Sequence, residues 1–295
     1  MLTTLRLQKR LGAGVAGLAF VTWLLLIFGS TVRVHGAGLA CPDWPLCFGE
    51  VIPTFDFSVF LEWGHRVLAS AVSLGFLALG GAILAQKELR AAYLPHLVLM
   101  ALVLATQVLL GWMTVAKLLV YWSVTLHLLF GNAFLALMIA LAVRLRGGGF
   151  GEALPRRVVM VGWVLAAAVA VQLALGGLVS SNYAGLACKE WPTCSGGVWF
   201  PQFAGPVGLH LFHRFGGYTL LVVSGALVWL SRGTAAAGGA SAILVLVLAQ
   251  VALGVANVLA EMPVELAIAH AAVAHAIVGT TTFVVTRLHL RAGTA

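Results

Sequence analysis

The sequence predicts an all-α integral membrane protein: eight transmembrane helices arranged as two pseudo-symmetric four-helix bundles. Three observations lead there. The 295-residue chain is 61% hydrophobic and only 9% charged, a balance that excludes a soluble domain. Its apolar residues gather into runs long enough for a membrane span of roughly 20 residues. The chain also repeats itself, because GLACPDWPLC at Gly38 to Cys47 returns as GLACKEWPTC at Gly185 to Cys194, an offset of 147 residues.

In chain order the apolar runs give helices at about 12–32, 62–85, 93–115, 120–143, 158–180, 208–231, 240–260 and 264–287, two sets of four. The first run is too long for a signal-peptide core and no A-x-A-like site follows it, so it is expected to be retained. The second opens on EWGHR, whose His65 and Arg66 return as His213 and Arg214 in the HLFHR of the sixth. The third and seventh carry QVLLG at Gln107 and QVALG at Gln250, and each glutamine precedes a histidine by 20 residues, His127 and His270. Between the sets, RLRGGGFGEALPRR reads as a flexible basic linker with no phosphate-binding glycine pattern, as does RGTAAAGG after Arg232. The resulting division is 1–146, linker 147–157, and 158–295.

A net charge of +8 raises the question of a polyanionic partner, and the placement of the charges answers it. Twelve of the seventeen basic residues (Arg6, Lys9, Arg10, Lys87, Arg90, Arg144, Arg146, Arg156, Arg157, Arg232, Arg287, Arg291) fall on one side of an eight-helix weave. Seven of the nine acids, including Asp43, Glu50, Asp56, Glu190, Glu261 and Glu265, fall on the other. The positive-inside rule then puts both termini in the cytoplasm of a multi-pass cell (inner) membrane protein, with membrane lipid and no nucleic acid as its surroundings.

Both Cys loops are thereby outside, where disulfides persist. Each pair is Cys-x5-Cys, so Cys41 with Cys47 and Cys188 with Cys194 are expected to close within their own loops. Zinc spacings are usually shorter and need further ligands, which the motif does not offer. A labile, redox-active Cys41–Cys47 is the competing use of the same pair. Trp44 and Trp191 lie between the cysteines in both copies, either as interfacial aromatics or as caps over something below.

His65, His127, His213 and His270 lie at one depth in the outer third of the membrane, on alternate helices of the two sets. An isolated intramembrane histidine is more often a packing residue, but two matched pairs point to facing imidazoles that ligate a haem iron axially. Two ligands suffice for a porphyrin, which brings four nitrogens of its own; zinc would need a third. His35, His96 and His289 read as solvated or interfacial, and His275 lies about 140° around its helix from His270. Gln107 and Gln250 are expected to make interhelical hydrogen bonds, with Gly111 and Gly254 allowing close approach.

One asymmetry stands out. Glu62, three residues before His65 and on nearly the same helix face, is matched by His210 in the second copy, whereas the arginine is kept in both. Arg66 and Arg214 are therefore expected to hold haem propionates or loop carbonyls, leaving Glu62 free for chemistry in the first half alone. A plain Glu62–Arg66 salt bridge is the alternative.

With EWGHR, LHLL at Leu126 to Leu129, LFHR, AHAA at Ala269 to Ala272 and both Cys-x5-Cys loops in hand, the chain resembles the haem A synthase family, the bacterial and mitochondrial CtaA/Cox15 proteins, over nearly its whole length. The resemblance implies two four-helix bundles. In the first, His65 and His127 would flank the substrate haem O with Glu62 as the catalytic acid; in the second, His213 and His270 would hold a haem b that relays electrons. It implies oxidation of one ring methyl (C8) to a formyl group, through an alcohol and a hydrated aldehyde, giving haem A for cytochrome oxidase. Haem O synthase as substrate donor, the cytochrome oxidase assembly machinery, an electron partner and a homo-oligomer are the associated partners. A dihaem electron-transfer cytochrome of the b561 sort is the rival reading, but it has no need of Glu62 or the repeated Cys-Trp-Pro loops. A repeat-built transporter fits less well, because the repeats are parallel rather than inverted.

Overall fold

The computed structural model describes residues 2–151 and 153–290, so Glu152 and Arg291 lie outside the described residues. Among the described residues it contains eight α-helices: α1 (Leu2–Val34), α2 (Phe57–Leu84), α3 (Lys87–Ala116), α4 (Tyr121–Leu145), α5 (Arg156–Ser181), α6 (Gly205–Leu230), α7 (Ala237–Leu259) and α8 (Val264–His289). All eight are long and apolar enough to cross a membrane.

The boundaries depart from the hydropathy reading in instructive places. Helix α1 continues back to Leu2 through Arg6, Lys9 and Arg10, because helical hydrogen bonding does not stop where the apolar run does. Helices α2 and α6 start five and three residues earlier than expected. Asp56 caps α2, its carboxylate accepting from the Val59 N–H at 2.8 Å, and Pro206 sits in the first turn of α6, where a missing N–H costs nothing.

Helices α1 to α4 close into a ring in chain order, with α4 packed back on α1; α5 to α8 do the same, with α8 on α5. The rings meet along α1, α4, α5 and α8. Apolar side chains fill the half of each bundle remote from the Cys loops. Val15, Val72, Phe76, Met100, Leu135, Met138 and Leu141 form the first core, and Val158, Leu165, Leu227, Ile243, Val247 and Val284 the second. Near the loops, only small clusters around Val32 and Leu61, Cys41 and Val59, and Cys188 and Leu211 are closed. The four matched histidines lie between core and loops.

Polar pairs stitch the two rings together. His275, fully buried in α8, has Nδ1 3.0 Å from Asn132 Oδ1 of α4 and Nε2 3.3 Å from Ser30 Oγ of α1. Thr125 of α4 meets Ser181 of α5 at 3.0 Å. Arg33 at the end of α1 donates to Tyr183 Oη and the Ser180 carbonyl, both at 3.0 Å. The linker is less free than its glycines suggest: Arg287 donates to the Gly148 carbonyl at 2.7 Å and lies over the Phe150 ring. His96 also departs from expectation, its Nε2 lying 2.9 Å from the Leu137 carbonyl of α4.

Candidate functional site

The site is built downward from the two Cys loops. Each closes on itself through a disulfide, Cys41–Cys47 and Cys188–Cys194, and each contains a cis Trp-Pro bond, Trp44-Pro45 and Trp191-Pro192. Two residues after the first cysteine, an acid gathers the N–H groups that follow the second. Asp43 accepts from Phe48 and Gly49, both at 2.7 Å; Glu190 accepts from Gly196 at 2.9 Å and Gly197 at 3.1 Å. These bonds stabilise the charged forms. The Gly49 N–H is the main reason the Asp43 carboxyl lies below its ordinary range, and the Gly197 and Gly196 N–H groups do the same for Glu190. The sequence carried this signal, since an acid stands two residues after each leading cysteine, but the pair registered there only as outer charges. Neither tryptophan is buried; Trp191 Nε1 donates to Tyr218 Oη at 2.9 Å.

The repeated arginines lash these loops to the helices below. Arg66 donates to the carbonyls of Asp43 (2.7 Å), Leu46 (2.6 Å) and Cys41 (3.3 Å). Arg214 donates to those of Thr193 (3.0 Å), Cys188 (3.1 Å) and Glu190 (2.8 Å). A guanidinium has five N–H donors in a rigid fork, which suits convergent carbonyls. At the asymmetric position the halves part. Glu62 is buried, with Oε1 accepting from Arg66 at 2.6 Å and Oε2 from the Cys41 N–H at 2.8 Å. The carboxylate is thus not free, as the sequence suggested, but tied to loop and arginine together. His210, equally buried, instead meets the Ala184 carbonyl through Nδ1 at 2.9 Å.

Below this layer the histidines are paired. His65 and His213 lie eight residues into α2 and α6, and His127 and His270 six residues into α4 and α8, so their depths match turn for turn. The His213 and His270 ring centres are 6.4 Å apart. Two imidazoles on opposite sides of one metal ion, with metal–nitrogen bonds of roughly 2 Å, need about that separation. Among the described residues no three His, Cys, Asp or Glu side chains gather as a metal cage, so each pair could serve only an ion that arrives with other ligands.

Each ring also has a glycine behind it, which the sequence reading found for two of the four only as places of close approach. A Cβ built at Gly29 or Gly176 would lie 2.9 or 3.0 Å from Cε1 of His65 or His213, and one at Gly111 or Gly254 3.2 or 3.3 Å from Cε1 of His127 or His270. The glycines let neighbouring backbones back the rings directly. Buried polar atoms in this layer lack protein partners: Nδ1 of His65, His127 and His270, and Oε1 of Gln107, Gln172 and Gln250. Gln107 Nε2 lies 3.3 Å from His127 Nε2. So many unpaired polar atoms at one depth in an apolar bundle mark a site built for a ligand.

Comparison with known proteins turns this geometry into a lineage. The protein-family model COX15-CtaA, described as cytochrome oxidase assembly protein, matches residues 14–59 and 52–282. The chain belongs to the Cox15–CtaA family. Among relatives, a protein of Shewanella oneidensis named heme A synthase is 30% identical over 304 residues, covering 84% of this chain and 88% of the relative. Heme A synthases of Halalkalibacterium halodurans (30% over 220 residues, 71% and 72% covered) and Alkalihalophilus pseudofirmus (32% over 208 residues, 68% and 69%) are similar too. The Cox15–CtaA match spans both Cys loops and all four histidines.

Proposed function

We propose that this chain is a haem A synthase, a membrane oxidoreductase that converts the C8 methyl of haem O to a formyl group and so supplies haem A to cytochrome oxidase. In this reading haem O lies between His65 and His127, and a resident haem b between His213 and His270. The observation that carries it is the repeated pair of histidines, at equal depth and backed by glycines, with the His213 and His270 rings facing each other, in a chain whose relatives are named for this activity. When bound there, haem b would supply a one-electron redox centre.

Methyl-to-formyl conversion with one water releases four protons and four electrons, so the first half must manage protons and the chain must pass electrons outward. Glu62 is the group suited to the protons. It sits one turn outward of His65 on the same face, and a carboxylate offers about four acceptor positions. Arg66 and the Cys41 N–H use two. The remainder can hold a water or a proton at Oε1 or Oε2 near the reacting methyl, and the two donors keep the carboxylate in place while it acts. His210 puts an imidazole bonded to the Ala184 carbonyl in place of that carboxylate, and in this reading methyl chemistry belongs to the first half and ligation to the second. Arg66 and Arg214, anchored in the loops above both pairs, are the cations that would meet haem propionates.

By the positive-inside rule both termini would lie in the cytoplasm. Haem O synthase would hand over the substrate, the oxidase assembly machinery would take the product, and an electron partner and homo-oligomerisation complete the proposal. Purification after co-expression with a source of haem O, followed by chromatography of the extracted haems, is the direct test. Haem A beside haem b is expected; haem b alone, with haem O accumulating unconverted in the membrane, would favour the electron-transfer cytochrome.

A further inference from the structure

His65 and His213 occupy equivalent places, yet their second ring nitrogens do not. Gln172 of α5 reaches His213, with Nε2 3.1 Å from the ring Nδ1 and donating to the His213 carbonyl at 2.9 Å. The residue 147 positions earlier is Leu25 of α1, which offers no polar atom, and His65 Nδ1 is buried without a partner. Gln172 Oε1 is buried and unpartnered as well.

We infer that Gln172 is a positioning residue that holds His213 on the resident haem iron, and that Leu25 in its place leaves His65 the looser ligand of the substrate haem. The inference rests on the assignment of haem b to the second half. Coordination through Nε2 requires the tautomer with a proton on Nδ1, and metal-bound histidines are held in orientation by an acceptor for that proton. A half-turn of the Gln172 amide carries its unpartnered Oε1 to Nδ1–H, in exchange for the bond to the His213 carbonyl; an amide has both an acceptor and donors at one end, so it can serve either state. Leu25 can do neither, and the His65 ring can turn away without losing a hydrogen bond. The division suits the two occupants, since a cofactor stays and a substrate must leave.

The test uses full-length protein carrying His65→Ala and His127→Ala, so that the haem b read is the one in the second half, with Gln172→Leu, Gln172→Glu or no further change. Loss of such a partner commonly weakens ligand hold about 10- to 100-fold. The parent is expected to show a low-spin reduced spectrum that binds carbon monoxide slowly or not at all. Gln172→Leu should bind it at least about tenfold faster, with a shifted midpoint potential. Gln172→Glu, which keeps an acceptor oxygen, should retain the low-spin spectrum. An unchanged Gln172→Leu in a normal parent overturns the inference alone, as does equal haem loss from the Leu and Glu variants, which would make Gln172 a mere packing residue. A parent with no low-spin haem overturns the second-half assignment and the inference with it.

Discussion

The two halves share a loop, an arginine clasp, a glycine-backed histidine pair and a core, and two of the differences between them lie next to the histidines. Where the first half has Glu62 the second has His210, and where the second has Gln172 the first has Leu25. The shared parts build the same frame twice: a closed loop tied by an arginine above a pair of glycine-backed histidines. Under the proposed assignment Glu62 would serve protons in the first half and Gln172 would hold a ligand still in the second, so single side chains one layer from the histidines would give a repeated bundle two roles.

That comparison can be broken most severely at the ligands. His213→Ala or His270→Ala should abolish haem b binding while His65→Ala and His127→Ala leave it, read from reduced-minus-oxidised spectra of purified protein; loss of the same pigment from all four would erase the distinction between halves. Next in size, Glu62→Ala should lower haem A formation roughly 100-fold or more while haem remains bound. His210→Ala should change it little. If Glu62 only braced Arg66 and the loop, its loss would cost stability, about 3–5 kcal/mol for one member of a buried pair, seen as a lower thermal transition, while haem A formed per folded protein would stay near normal.

A methyl behind a ring is a finer probe. Gly29→Ala and Gly176→Ala intrude more closely than Gly111→Ala and Gly254→Ala. The first two should therefore broaden or shift the low-spin bands more, each in the spectrum of its own half. Reduction of the disulfides should act on both halves alike, since each closes a loop of the same length. Chain-entropy arguments put each at about 2 kcal/mol, visible as a lower thermal transition of the Cys41→Ser/Cys47→Ser and Cys188→Ser/Cys194→Ser variants, and non-reduced peptide mass spectrometry should find only intraloop links.

The smallest effect is expected from acid. Asp43 and Glu190 have carboxyls held below their ordinary values, so the stability they lend is present above the ordinary carboxylate pKa and fades as pH falls through the lowered one. Protection of the Gly49 and Gly197 amides, taken relative to their intrinsic exchange rate, should fall below about pH 4, in both loops together. Asp43→Asn and Glu190→Gln should remove that dependence, each in its own loop.

Much of this was legible beforehand. Helix number and approximate ends followed from apolar runs, because a bilayer imposes one period on everything that crosses it. The histidines, arginines and cysteines followed from the repeat. What the sequence hid was direction. Glu62 and Arg66 are four residues apart in any helix, but only packing brings the Cys41 N–H to the same carboxylate. Gln172 has no counterpart at Leu25, so the repeat, which marks matched residues, carries no sign of it. His275 was judged only for failing to share a face with His270, when the face it does occupy is the boundary between bundles.

That last contact bears on how the two halves came to need each other. Asn132 and His275 are separated by 143 residues, the same interval that relates His127 to His270, and they touch. Each stands where the other would stand if the halves were exchanged. In a dimer of identical bundles, two-fold symmetry would set any residue at that spot against its own copy, and a self-facing contact can use only groups that match themselves. Joined in one chain, the position may be written twice with different letters, an amide oxygen on one side and an imidazole on the other, with Ser30 as a third member. The fused protein has traded interchangeable subunits for a left and a right.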